Sequence, residues 1–193
     1  MCKIWMSFCV LMVWPGLALA QAIDSTYSQV KLEACSIIDK NEEEAWAKWR
    51  CRGLQGVPVY VAEGDLRFFV SFGQQAEREK AASQTFAFFN TINETLEWRR
   101  VKVLGKFRPF AVIHRWFVDD PDAPGRQVNV LVVTRLGRWK TCHVAYIDAS
   151  ANPDANVLAR QAADSMARDF NCRNSPETKG RVGSVLRQAL ALR

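Results

Sequence analysis

The chain has 193 residues, 49% of them hydrophobic and 11% aromatic, and a formal net charge of +6 at pH 7. Apolar content at that level, with Gly and Pro scattered, excludes a disordered or collagen-like chain. The absence of any repeat or low-complexity tract in the sequence argues against a solenoid.

Lys3 supplies a positive start, residues 4–19 form a nearly unbroken apolar run, and Ala18-Leu19-Ala20 set small residues at alternate positions. This pattern predicts a cleavable secretory signal over residues 1–20, with the mature chain starting at Gln21. The rival is a retained anchor, but the run falls short of the roughly 18–20 residues that span a bilayer, and Pro15 interrupts it. A lipoprotein signal needs small residues before a cysteine at the end of the run, whereas Cys9 follows Phe8 in its middle. Removing the signal leaves a size suited to one hydrophobic core: a single globular domain over 21–172 and a basic tail over 173–193.

Val57 to Ala62 and Leu66 to Phe72 are aromatic and β-branched runs joined by Glu63-Gly64-Asp65, which predicts a hairpin whose turn uses the freedom of Gly64. Gln74 to Gln84 is polar and rich in Ala, Glu and Lys, fitting a short helix or a loop. Phe86, Phe88 and Phe89 follow, either as a ligand platform or as pins holding a long connection to the core. Thr95–Val103, Pro109–Val118, Gln127–Arg135 and Lys140–Ile147 read as four more strands, linked by turn residues at Gly105, 119–125 and 136–138. Short links favour antiparallel neighbours. Asn152 then suits an N-cap, Pro153 the first helical position, and Leu158, Ala162, Met166 and Phe170 form a stripe at helical spacing. In the tail, Val182, Val185, Leu186, Ala189 and Leu190 repeat that spacing. A short basic amphipathic helix there would lie on an anionic membrane surface or a partner, or fold back onto the domain or fray.

Cys2 and Cys9 leave with the signal, and four cysteines remain. In an exported domain these predict two disulfides. Of three possible pairings the expected one is Cys35 with Cys51 and Cys142 with Cys172. Each joins neighbouring segments, and the first closes a loop worth about 3 kcal/mol. There is no C-x-x-C redox pair and no zinc-knuckle spacing, so neither metal nor cofactor is expected. The mature chain carries 25 basic and 20 acidic residues. Most of that excess lies in the tail, where Arg173, Lys179, Arg181, Arg187 and Arg193 face only Glu177.

Hydrolase elbows, metalloprotease helices, phosphate loops and dinucleotide turns are missing from the sequence. Residues 119–125 resemble a calcium loop only in their density of Asp, since the carboxylates do not alternate and two prolines stiffen the segment. The two histidines, His114 and His143, fall on different strands. His114 shares a face with Phe110, Val112 and Trp116, whereas strict alternation places His143 opposite Cys142, Val144 and Tyr146, on the outer side. Either histidine, with Asp148, is a candidate catalytic group. Tryptophan adjoins arginine four times, at Trp49-Arg50, Trp98-Arg99, Arg115-Trp116 and Arg138-Trp139. Alternation buries the Trp and exposes the Arg, so the binding candidates are Arg50, Arg99, Arg115 and Arg138, gathered on one outer sheet face.

The segments Pro58-Val59-Tyr60-Val61-Ala62-Glu63-Gly64-Asp65-Leu66-Arg67, and His143 through Ala149 to Asn152-Pro153-Asp154-Ala155-Asn156, resemble small uncharacterised exported proteins of alphaproteobacteria. The resemblance implies a periplasmic location and carries over no activity, cofactor or catalytic residue.

The sequence therefore predicts an α+β fold, an antiparallel sheet of about six strands with one long C-terminal helix, from Pro153 to Phe170, packed on one face. Its expected role is that of a non-catalytic envelope protein binding an anionic polymer or a protein partner, with nucleic acid not expected outside the cell. One alternative is a periplasmic hydrolase built on His114 or His143. Another is an inhibitor of host lysozymes, which the basic tail disfavours because lysozymes are often basic. Intact-mass measurement of periplasmic protein should give a chain starting within two residues of Gln21. A mass that retains residues 1–20 would identify the segment as an anchor.

Overall fold

The computed structural model describes residues 22–137 and 140–192, so the expected signal segment, Arg138 and Trp139 lie outside the described residues. Ten strands and two α-helices follow in the order β1 (Ile23–Gln29), β2 (Ser36–Asn41), β3 (Trp46–Arg52), β4 (Pro58–Gly64), β5 (Arg67–Phe72), β6 (Asn90–Val103), β7 (Lys106–Asp119), β8 (Gln127–Arg135), β9 (Cys142–Asp148), α1 (Ala155–Met166), β10 (Glu177–Lys179) and α2 (Ser184–Ala191). The class is α+β, but the strands form two sheets, a six-stranded one ordered β1-β6-β7-β8-β9-β10 and a four-stranded one ordered β2-β3-β4-β5. All pairs are antiparallel except β10 on β9, which the α1 crossover makes parallel.

The six-stranded sheet is covered on both faces, and alternation along its central strands assigns the cover. Val112, Trp116 and Val118 of β7 and Val130 and Val132 of β8 join Leu96, Trp98 and Tyr146 against Val59, Val61, Val70 and Phe72 of the smaller sheet. Ala111, Ile113, Leu131 and Val133 point the other way, into a second core formed with α1. The helix presents Ala155, Ala159, Ala162 and Ala163 to the sheet. These small, strongly helix-forming residues let the backbones approach closely. Leu158 and Met166 are only partly buried at the margin.

Three local expectations are corrected. The β4–β5 hairpin exists, but Gly64 pairs within it opposite Trp46 and Arg67, and the left-handed turn residues are Asp65 (φ 53°) and Leu66 (φ 56°). Gly64 serves close approach instead, since a Cβ there would lie 3.3 Å from that of Trp46. The helix is shorter than expected, 12 residues ending at Met166. Asn152 does not cap it but donates through Nδ2 to the carbonyls of Asp148 and Arg181 at 2.8 and 2.7 Å, and accepts from the Arg181 amide.

The disulfides are Cys35–Cys51 and Cys142–Cys172, closing loops of 16 and 30 residues. The second fastens the chain beyond α1 to the start of β9 and restricts the unfolded chain by roughly 3.5 kcal/mol. Residues 74–84 form two short 3-10 turns, and Phe86, fully buried, packs edge-on against Trp116 and Tyr146 at 5.6 and 5.3 Å. Of the three phenylalanines it is the pin, whereas Phe89 is exposed.

The tail is part of the domain rather than an appendage. β10 extends the sheet, and α2 buries Val185, Leu186 and Ala189, the last two within the inter-sheet core. Its apolar side is therefore occupied by the fold. Leu186→Ala should lower unfolding stability by about 2–4 kcal/mol in urea titrations, as for other fully buried leucines. A loss below about 0.5 kcal/mol would mean that α2 is not seated in the core.

Candidate functional site

The histidines expected to offer chemistry are both interior, His114 2% and His143 1% exposed. His143 departs from its expected outer position because the β8–β9 register shifts between Val133 and Thr134, pairing Thr134 with His143 but Val133 with Ala145. This bulge breaks the alternation, so His143 and Tyr146 share a face and the ring Nδ1 lies 2.9 Å from the tyrosine hydroxyl. Both histidine rings pack edge-on against Trp116, with centroids 6.2 and 5.9 Å away. His114 Nε2 lies 2.6 Å from the Asn93 carbonyl, which can only accept, so the proton of the neutral ring sits on Nε2. Asp148 lies five residues beyond His143, roughly 16 Å along an extended strand. Its Oδ1 accepts the amides of Ser150 and Ala151 and its Oδ2 that of Gly183 at 2.9 Å. The three candidates thus do not meet in a cleft, and Asp148 is a clasp joining the β9–α1 turn to α2.

The arginines are separated as well. Trp49, Trp98 and Trp116 do share the inter-sheet core, but the opposite side is not one surface. Arg50 projects from the smaller sheet and pairs with Glu77 at 2.7 Å. Arg99, 7% exposed, lies beneath α1 and holds Asp164 through Nε at 2.8 Å and Nη2 at 2.6 Å, with Ser25 on Nη1. Arg115 is partly buried on the α1 side, lining a recess with Tyr27, Asn93 and Asn156. The expected common face fails because Arg50 belongs to the other sheet and α1 lies over the face that carries Arg99 and Arg115.

A different group of cations does converge. Lys80, Arg135, Lys140, Arg168 and Arg173 line a cleft of 670 Å³ beside Cys172, with Asp169 as the one carboxylate on its wall. Lys80 Nζ donates to the carbonyls of Cys172 and Asn174 at 2.7 and 3.2 Å, and Arg135 Nη1 to that of Phe170 at 2.6 Å. These bonds hold the segment after α1 in place and satisfy carbonyls that lie outside any helix or strand. Arg168 lies over the Phe110 ring at 5.5 Å. Lys140 and Arg173 are exposed and form no salt bridge among the described residues. No single segment signals this cluster, because its members come from three separate stretches of chain, at residue 80, at 135–140 and at 168–173, that the disulfide and the sheet bring together.

No family profile, curated protein or solved structure matches the chain.

Burial depresses the His114 imidazole from 6.5 to about 4, against the opposing hydrogen bond to Asn93. The unfolded chain therefore takes up the proton first as pH falls. The contribution of His114 is complete above about pH 6.5 and declines by roughly 3 kcal/mol toward pH 4. Urea titrations across that range should show a steeper acid loss for the wild type than for His114→Gln, whose amide can still donate to Asn93. Parallel curves would show that the fold does not depress the protonation of His114 relative to the unfolded chain.

Proposed function

We propose that the protein is an exported, periplasmic binding protein that takes an anionic group of an envelope polymer into the cleft beside Cys142–Cys172. The observation that carries the reading is the charge of that cleft, five cations and one carboxylate around 670 Å³. Like charges held this close repel one another, so a multivalent anion relieves their repulsion as well as pairing with them. Lys80 and Arg135 are fixed by carbonyls and supply a preorganised floor, while Lys140 and Arg173 are the exposed contacts.

The lysines supply compact point charges, and the arginines supply planar forks suited to phosphate and carboxylate oxygens. Export is supported by the signal-like pattern of residues 1–20 and by two disulfides, which persist in oxidising compartments. Among the described residues no helix is long and apolar enough to cross a membrane.

Calorimetric titration with linear polyphosphate is the direct test. Lys140→Gln/Arg173→Gln should weaken binding at least about tenfold, the equivalent of about 1.4 kcal/mol, and reduce its salt sensitivity. Arg50→Gln/Arg115→Gln, which alters two arginines away from the cleft, should change it less than about twofold. Loss of binding in the second variant but not the first would place the contact elsewhere and overturn the reading.

A further inference from the structure

A second cavity, of 460 Å³, is walled by Val57, Phe72, Pro109 and Leu136 and bears Glu79 on its lining. Glu79 is 8% exposed. Its Oε2 accepts the Thr141 amide at 2.9 Å, which, with the bond from the Ala81 amide to the Thr141 carbonyl, ties the 3-10 turns to the start of β9. Oε1 has no hydrogen bond to any described residue, and no described cation pairs with the group. The neighbouring cations are engaged away from it, Lys80 on the carbonyls of Cys172 and Asn174 and Arg135 on that of Phe170. Oε1 is thus an acceptor left open to the cavity while the rest of the residue is buried, and a cation that brings its own apolar body would both pair with it and fill the cavity.

We infer that this cavity is a binding site for a small organic cation, a protonated amine on an apolar or aromatic body, with Glu79 Oε1 as the counter-ion and Phe72, Val57, Pro109 and Leu136 as the walls. A metal ion is a poorer fit, because the described residues include no group of three or more His, Cys, Asp or Glu placed to hold one. An anion is refused by Glu79 itself. Gln74 and Gln75 also line the cavity, and each carries a side-chain carbonyl oxygen of the type that accepts ammonium hydrogens. This site is independent of the cationic cleft, so either can fail without the other.

The test uses three probes of one shape and different charge, phenethylamine, 2-phenylethanol and 3-phenylpropanoate, with binding read by ligand-observed NMR on the disulfide-intact protein. The amine should bind at least tenfold more tightly than the alcohol, and the carboxylate should not bind. Glu79→Gln keeps an acceptor for the Thr141 amide, so it should fold normally while losing that tenfold preference. Val57→Phe leaves the carboxylate untouched and narrows the cavity, and it should weaken the amine by a similar factor. The inference is overturned if the amine fails to bind the wild type up to about 10 mM, if the alcohol binds as well as the amine, or if both variants bind as the wild type does.

Discussion

Burial of the central sheet on both faces is the constraint from which most of the structure follows. A strand with one wet face tolerates polar residues at every second position. The middle stretches of β6 to β8 and all of β9 have no such face, because the smaller sheet and α2 cover one side and α1 the other, while exposed polar residues such as Thr91, Lys102 and Arg108 lie toward the strand ends. A charged side chain in those middle stretches needs an internal partner to offset its lost hydration. Arg99 finds Asp164 and Ser25, and Glu97 finds Arg160 and the Ser25 hydroxyl. The result is a layer of paired charges between sheet and helix, which fixes the rotation of α1 more strictly than its alanine face does alone.

The same constraint reaches the sheet edge. All seven residues of β9 are buried although β8 is its only long neighbour. Its outer edge is closed in two parts. The second half pairs with β10, Ala145 with Glu177 and Ile147 with Lys179. Just before and at its start, the Thr141 amide donates to Glu79, its carbonyl accepts from Ala81, and the His143 amide donates to Gln84. The polar stretch from residue 74 to 84 is thus a cover for backbone groups that would otherwise stay exposed, and its Glu and Gln side chains act as substitutes for a missing strand.

Where side-chain period alone decides structure, the sequence was readable. The strands from β4 to β9, the β4–β5 hairpin and the amphipathic helix of the tail follow from local pattern, whereas the disulfide pairing, one of three that four cysteines allow, needed the structure to decide it. β1, β2 and β3 were not read as strands. β2, for example, is an exposed edge of Ser, Asp, Lys and Asn around Ile37 and Ile38, with no alternation to detect. His143 was misplaced because a single bulge reverses every inference made by counting in twos. The arginines were misplaced for a related reason: alternation separates Trp from Arg correctly, yet it does not say whether the Arg face meets water or a helix. The cationic cleft was beyond local pattern altogether, since Lys80 and Arg173 meet only after the 30-residue disulfide loop has closed.

That disulfide also explains how two sites of opposite charge can sit side by side. Glu79 and Lys80 are consecutive, Glu79 as the extended residue between the two 3-10 turns and Lys80 opening the second, and their side chains go to different partners, one to the Thr141 amide and one to the carbonyls of Cys172 and Asn174. With Cys172 bonded to Cys142, both anchor points belong to one covalent unit only one residue away from Thr141. Any shift of the segment after α1 would draw Lys80 with it and pull on the turn that carries Glu79. Cation and carboxylate are thus each held by backbone groups instead of by one another.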